Sequence, residues 1–209
     1  MKLLGSGGQQ RRDSLFDASG TITTGGTAQL LLPQSKARSY LLIVNNSSGL
    51  LMVQIGILPA VATISGGKVA SSITVNDVGF GFNLPPIVEF LGGGNSNDPP
   101  SYGATAPDWP APAAPASGIA IMAASAINGL KISSITLNNP GSGYLAAPYV
   151  QVRADRTDPT GVGLPSATAG IPLLSQGSNY YSNGTTCPTD AVAIWGATTG
   201  QAFTCKWMT

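Results

Sequence analysis

The chain has 209 residues, a net charge of +1, no histidine, and 9% charged residues, against about 25% in a typical soluble protein. Without histidine, the commonest general base, the commonest metal ligand and every Ser–His or Cys–His nucleophile pair are excluded. A charge so close to zero leaves no electrostatic case for nucleic acid or an anionic membrane as partner. The 27 glycines and 16 prolines describe short strands joined by many turns, and so sparse a charge suits a protein that works inside a large assembly. No apolar run reaches the 18 residues of a membrane-spanning helix. The start, MKLLGSGGQQRR, has too short an apolar stretch to read as a secretion signal.

In chain order, residues 1–19 read as a polar, Gly-rich arm. Arg11 and Arg12 are its candidate contacts with a neighbouring subunit. Thr27 to Leu32 forms a first strand ended by Pro33, followed by a loop with Lys36 and Arg38. The continuous apolar run Tyr40 to Val44 predicts a central, fully buried strand. Leu50 to Ile55 is expected to pair back on it as a hairpin through the turn at Asn45 to Gly49.

The next segments carry an internal repeat. Val69 to Phe90, VASSITVNDVGFGFNLPPIVEF, returns without a gap 62 residues later as Lys131 to Val152, KISSITLNNPGSGYLAAPYVQV. Each copy reads as strand, glycine turn, strand. Gly79 and Gly81 in the first copy, and Gly141 and Gly143 in the second, are expected to adopt positive φ. Phe82 and Tyr144 are expected to fold over those turns. Between the copies, residues 92–117 form a Pro/Gly/Ala-rich loop of extended character in which Trp109 is a possible partner contact. Beyond the second copy, Asp155 and Asp158 sit at a spacing that can touch a cation, and two carboxylates on a loop make only a slight case for calcium. Ile171 to Leu174 predicts a short strand. Ala191 to Gly196 and Ala202 to Met208 predict a closing hairpin in which Phe203, Cys205 and Trp207 share a face.

The pattern of Thr27 to Gly56, with its apolar strand, basic loop and YLLIVNNSSGLLMVQIG, resembles a small β module of tailed-bacteriophage structural proteins. The ending TDAVAIWGATTGQAFTCKW resembles that module's last hairpin. The repeats resemble the glycine-tyrosine β-repeats common in phage virion proteins, except that Phe80-Gly81-Phe82 stands where Ser-Gly-Tyr is usual. The resemblance implies an all-β chain. Residues 20–58 and 170–209 would form a barrel or sandwich base. Residues 59–169 would form an inserted, outward-pointing lobe with the two β-repeats at 69–90 and 131–152.

The function so implied is non-enzymatic. It is a capsid decoration, or cement, protein, made in the host bacterial cytoplasm and bound to the outer surface of the major capsid protein shell, several copies together. A tail, head–tail adaptor or fibre component is the main alternative and would be present in far fewer copies. A carbohydrate-binding module is another, with Phe82, Tyr102, Trp109 and Tyr144 as stacking rings. An enzyme of glycosidase type would need two facing carboxylates. Nothing in the spacing of Glu89, Asp108, Asp155 and Asp158 brings two together, so no catalytic residue, cofactor or metal is expected.

The closing hairpin would put Cys205 opposite Val192. Cys187, five residues further on, would then lie about 17 Å away at about 3.4 Å per residue, beyond the roughly 7 Å between Cα atoms that a disulfide tolerates. Free thiols are expected unless the chain folds back sharply at Pro188. The bacterial cytoplasm implied by the resemblance favours the same state.

Overall fold

The computed structural model describes residues 14–94 and 111–209. The strands of the first stretch are β1 (Leu15–Asp17), β2 (Gly20–Thr21), β3 (Gln29–Leu32), β4 (Tyr40–Asn45), β5 (Leu51–Ile55), β6 (Ala60–Val61), β7 (Ile64–Ser65), β8 (Lys68–Val69) and β9 (Ile87–Leu91). Those of the second are β10 (Ser117–Ala124), β11 (Leu130–Asn139), β12 (Tyr149–Arg153), β13 (Ile171–Leu173), β14 (Asn179–Asn183), β15 (Val192–Gly196) and β16 (Ala202–Met208). The chain is all-β, its described sheets are antiparallel, and none closes into a barrel. The architecture is sandwich-like.

One sheet has β4 and β16 at its centre, with β14 on one edge and β1 and β2 in succession along the other. The facing sheet has the order β13-β5-β15-β3. Their inner faces meet in a core of Leu41, Ile43, Phe203 and Cys205 from the first sheet against Leu51, Val53, Val192, Ile194 and Leu173 from the second. All are at most 4% exposed, as expected of interdigitating inward faces.

This arrangement corrects both expected hairpins. β4 pairs with β14 and β16, whereas β5 pairs with β13 and β15. β15 and β16 likewise lie in different sheets, so Cys205 stands opposite Ile43 rather than Val192. Each predicted hairpin is an arch that carries the chain from one sheet to the other. The two arches stack, β4 beside β16 and β5 beside β15. A buried amide plugs each bend. The Asn45 side-chain N–H groups donate to the Gly49 and Leu173 carbonyls at 2.7 and 2.8 Å, and its Oδ1 accepts from Ser47. Gln201 Oε1 accepts from Thr198 N–H at 2.8 Å, and Gln201 Nε2 donates across to Leu50 O at 3.2 Å. The bends thereby satisfy backbone groups that a hairpin ladder would have paired. β4 itself alternates, with Leu41, Ile43 and Asn45 buried and Tyr40, Leu42 and Val44 partly exposed. It is central but covered on one face only.

β5 and β15 do bury both faces. The outer face of their sheet, at Ala193 and Trp195, is covered by Phe80, Val162, Ile127 and Leu164 of the insertion. The inserted residues therefore lie against the base instead of standing clear of it. Their own core gathers Phe82, Phe90, Ile132, Ile135, Tyr144, Val150 and Val152. At the N-terminal end, residues expected to belong to the arm are already structured. β1 pairs with β16, Phe16 stacks on Trp207 at 4.4 Å between ring centroids, and Asp17 forms an ion pair with Lys206.

Candidate functional site

The repeat positions Glu89 opposite Gln151, its own counterpart 62 residues later, in the pairing of β9 with β12. The flanking pairs Leu91–Tyr149 and Ile87–Arg153 exchange under the same shift, so the two copies meet about a local two-fold axis. The turns obey the same symmetry. In the first copy Asp77 Oδ1 accepts from Gly79 N–H at 2.9 Å, and in the second Asn139 Oδ1 accepts from Gly141 N–H at 2.9 Å. These Asx turns set up the glycines that follow. All four expected glycines have positive φ, at 58° and 74° for Gly79 and Gly81 and at 66° and 79° for Gly141 and Gly143.

The aromatic residue of each turn closes over its own glycine. A Cβ on Gly79 would lie 2.6 Å from the Phe82 ring, and one on Gly141 would lie 2.8 Å from the Tyr144 ring. Each turn is also fastened to the start of the other copy or to the residues just before it. Phe82 N–H donates to Leu130 O and Leu130 N–H to Phe82 O, at 3.2 and 2.8 Å. In return Tyr144 N–H donates to Gly67 O and Val69 N–H to Pro140 O, each at 3.0 Å. The copies differ where their lead strands begin. β11 is ten residues long and pairs with β10 along its length. The matching stretch of the first copy pairs only at its start, where β8 meets the two-residue β7 across the tight Gly66-Gly67 turn, and at the bridge from Thr74 to Val61.

Phe82 and Tyr144 are 0% and 2% exposed, so neither ring is open to stack on a sugar. The Tyr144 hydroxyl accepts from Ala116 N–H at 2.8 Å. Burial raises its pKa, opposed by that bond. Arg11, Arg12, Tyr102, Asp108 and Trp109 lie outside the described residues.

The carboxylates are put to structural use. Asp158 is 1% exposed. Its Oδ2 accepts from the backbone of Asn83 and Leu84 at 2.7 and 2.9 Å, and its Oδ1 accepts from Asn83 Nδ2 and the Thr160 hydroxyl at 3.1 Å each. Burial pushes its pKa up, and the bonds from Leu84, Asn83 and Thr160 outweigh it, holding the carboxyl below its ordinary value. With both oxygens so engaged, Asp158 does not join Asp155 in a calcium cage. Asp155 turns instead to the Thr157 N–H and hydroxyl at 2.8 and 2.6 Å. No group of three or more His, Cys, Asp or Glu side chains able to hold a metal occurs among the described residues. Glu89 is bound by the Arg153 guanidinium at 2.8 and 3.1 Å, which holds its carboxyl below the usual range.

Among the described residues, concave features include an open pocket of about 380 Å³ at Gln54, Leu58, Gly170 and Tyr180 and a more polar cleft. The cleft, at the junction of base and insertion, has two chambers, of about 230 and about 270 Å³, which share Arg153, Ala154 and Asp190. Ile55, Ile57, Pro59 and Val152 give the first an apolar wall. Lys36, Arg153 and Arg156 give the second a basic one, with Gln34 alongside. Behind the segment 188–190, the buried Arg38 donates to the carbonyls of Pro188, Asp190 and Pro33 at 2.7–2.8 Å and so fixes that wall. Sequence reasoning placed Arg38 in a loop and assigned it no partner. The missed signal is that an arginine followed by an apolar strand can turn inward once several carbonyls lie within its reach.

No family model matches this chain, and neither curated proteins nor solved structures give a match.

Proposed function

We propose that the chain is a non-catalytic structural subunit of a tailed-bacteriophage virion, a decoration protein that binds the outside of the major capsid protein shell. The observation that carries the non-catalytic part is the fate of its acids. Asp17, Asp77, Glu89, Asp155 and Asp158 each accept hydrogen bonds from their own chain. Such acids serve turns and strand junctions, where a catalytic pair would face a shared substrate. The chain has no histidine, and of the described acids Asp190 stands apart, lining the cleft with its pKa raised by burial.

The virion part rests on the motif resemblance of residues 27–56, of the repeats and of the C-terminal stretch. The low charge content and the interlocked, glycine-fastened insertion suit a part that must endure in a particle. A tail, adaptor or fibre role draws on the same features. Sugar stacking by the repeat aromatics does not, because both rings are buried.

The test removes the protein from purified particles and follows shell integrity on heating and osmotic shock. A decoration protein predicts shells that assemble but fail earlier than decorated ones. Shells of unchanged resistance would count against it.

A further inference from the structure

We infer that the two-chambered cleft is a docking site for a peptide segment of a partner protein, one that carries an Asp or Glu carboxylate next to an apolar side chain. For the partner's identity this rests on the structural-subunit reading above, and for the chemistry of the cleft it does not.

In a chain with so few charges, Lys36, Arg38, Arg153 and Arg156 gather around this one feature, while Lys68, Lys131 and Lys206 line neither chamber. Arg153 is matched by Glu89, but among the described residues Lys36 and Arg156 have no ion-pair partner. The Arg38 charge behind the wall is hydrogen-bonded by three carbonyls and lies within electrostatic reach of the Asp190 carboxylate. The basic chamber thus offers donors for an anion. An occupant that suits the cleft brings negative charge for these donors and an apolar group for the wall of Ile55, Ile57, Pro59 and Val152. A peptide with an acidic side chain next to an apolar one supplies both, and inorganic phosphate offers no apolar group. A nucleic-acid strand offers no apolar side chain for that wall, and a net charge of +1 makes no electrostatic case for it. Each chamber, of about 230 and about 270 Å³, has room for one or two side chains.

The test is a ¹⁵N-amide NMR titration of the whole chain with acetyl-Leu-Glu-Glu-Leu-amide, its Gln-Gln analogue and inorganic phosphate. The inference predicts saturable shifts at Ala154, Arg156 and Thr189 with the acidic peptide, at a midpoint on the order of 1 mM. The Gln-Gln analogue should bind about tenfold more weakly, as should the acidic peptide to the Lys36→Gln/Arg156→Gln double variant, whose remaining spectrum reports an intact fold. Equal binding of the uncharged analogue overturns the inference. So do shifts with phosphate but not peptide, unchanged binding by the double variant, or no localised shift up to about 10 mM peptide. A silent cleft on a protein that is nonetheless found on the particle would remove this inference and leave the functional one standing.

Discussion

Gly141→Ala tests the interlocked turns against a control inside the same molecule, Gly177→Ala. Both glycines have positive φ, 66° and 85°. The backbone penalty for an L side chain there, about 1–2 kcal/mol, is therefore common to both, less about 0.4–1 kcal/mol from the stiffer unfolded chain. Around Gly177 an added Cβ meets nothing within 4 Å, whereas at Gly141 it would lie 2.5 Å from Ala114 O, 2.8 Å from Ala116 N and 2.8 Å from the Tyr144 ring. To make room, the turn must give up the two Ala114–Ser142 backbone bonds and the bond from Ala116 to the Tyr144 hydroxyl. At about 1 kcal/mol for each bond, plus the displaced ring, Gly141→Ala should cost about 3–5 kcal/mol and Gly177→Ala about 1 kcal/mol. For a chain of this size that corresponds to a fall in Tm of roughly 8–15 °C against about 2–4 °C. Calorimetry with matched urea titrations measures both. A Gly141→Ala variant within about 1 kcal/mol of Gly177→Ala would refute the claim that close packing, beyond φ alone, requires glycine there.

Tyr144→Phe keeps the ring packing that Phe82 shows to be viable but strands the Ala116 N–H, and should cost about 1–3 kcal/mol in chemical denaturation. Acid stability should follow Asp158 and Glu89. Both carboxyls are held below their ordinary values, so their contribution is complete above the unfolded pKa values of about 4 and is lost as pH falls through the lower folded values. Urea midpoints measured from neutral to acid pH should show the drop below about pH 4, and Asp158→Asn should flatten it. Both cysteines are free and buried, with burial pushing the Cys205 thiol up to about 12. Thiol reagent should leave the native protein nearly untouched and label two sites per chain after denaturation without reductant, whereas labelling of the native protein at the denatured rate would contradict the buried placement.

What the sequence revealed, and what it hid, divides by the range of the interactions. The 62-residue offset, the glycine turns and the ring closing over each turn were legible because they are local, with an Asx side chain two residues before a glycine and an aromatic three after it. The last two strands fell almost where expected, with β16 spanning Ala202–Met208. Their partners did not, because an apolar run, a short turn and another apolar run describe a hairpin and an arch equally well. Only the long-range pairing of β4 with β16 and of β5 with β15 separates the two, and the buried Asn45 and Gln201 that plug the bends look like ordinary turn residues when read locally. The first repeat's lead strand was over-read for a related reason. Its Ile-Thr-Val alternation matches the second copy, but a strand also needs a partner long enough to pair with it. The cleft was invisible for want of any local pattern: Lys36, Arg153 and Arg156 meet only because the insertion returns across the base.

The most direct test of the central claim is to image phage particles assembled in cells that make this protein, look for the chain on them and count its copies. The account predicts many copies on the outside of the shell, at contacts between capsid subunits, with the sandwich base towards the shell. A protein absent from the particle, or confined to a few copies at the tail, would contradict the decoration role.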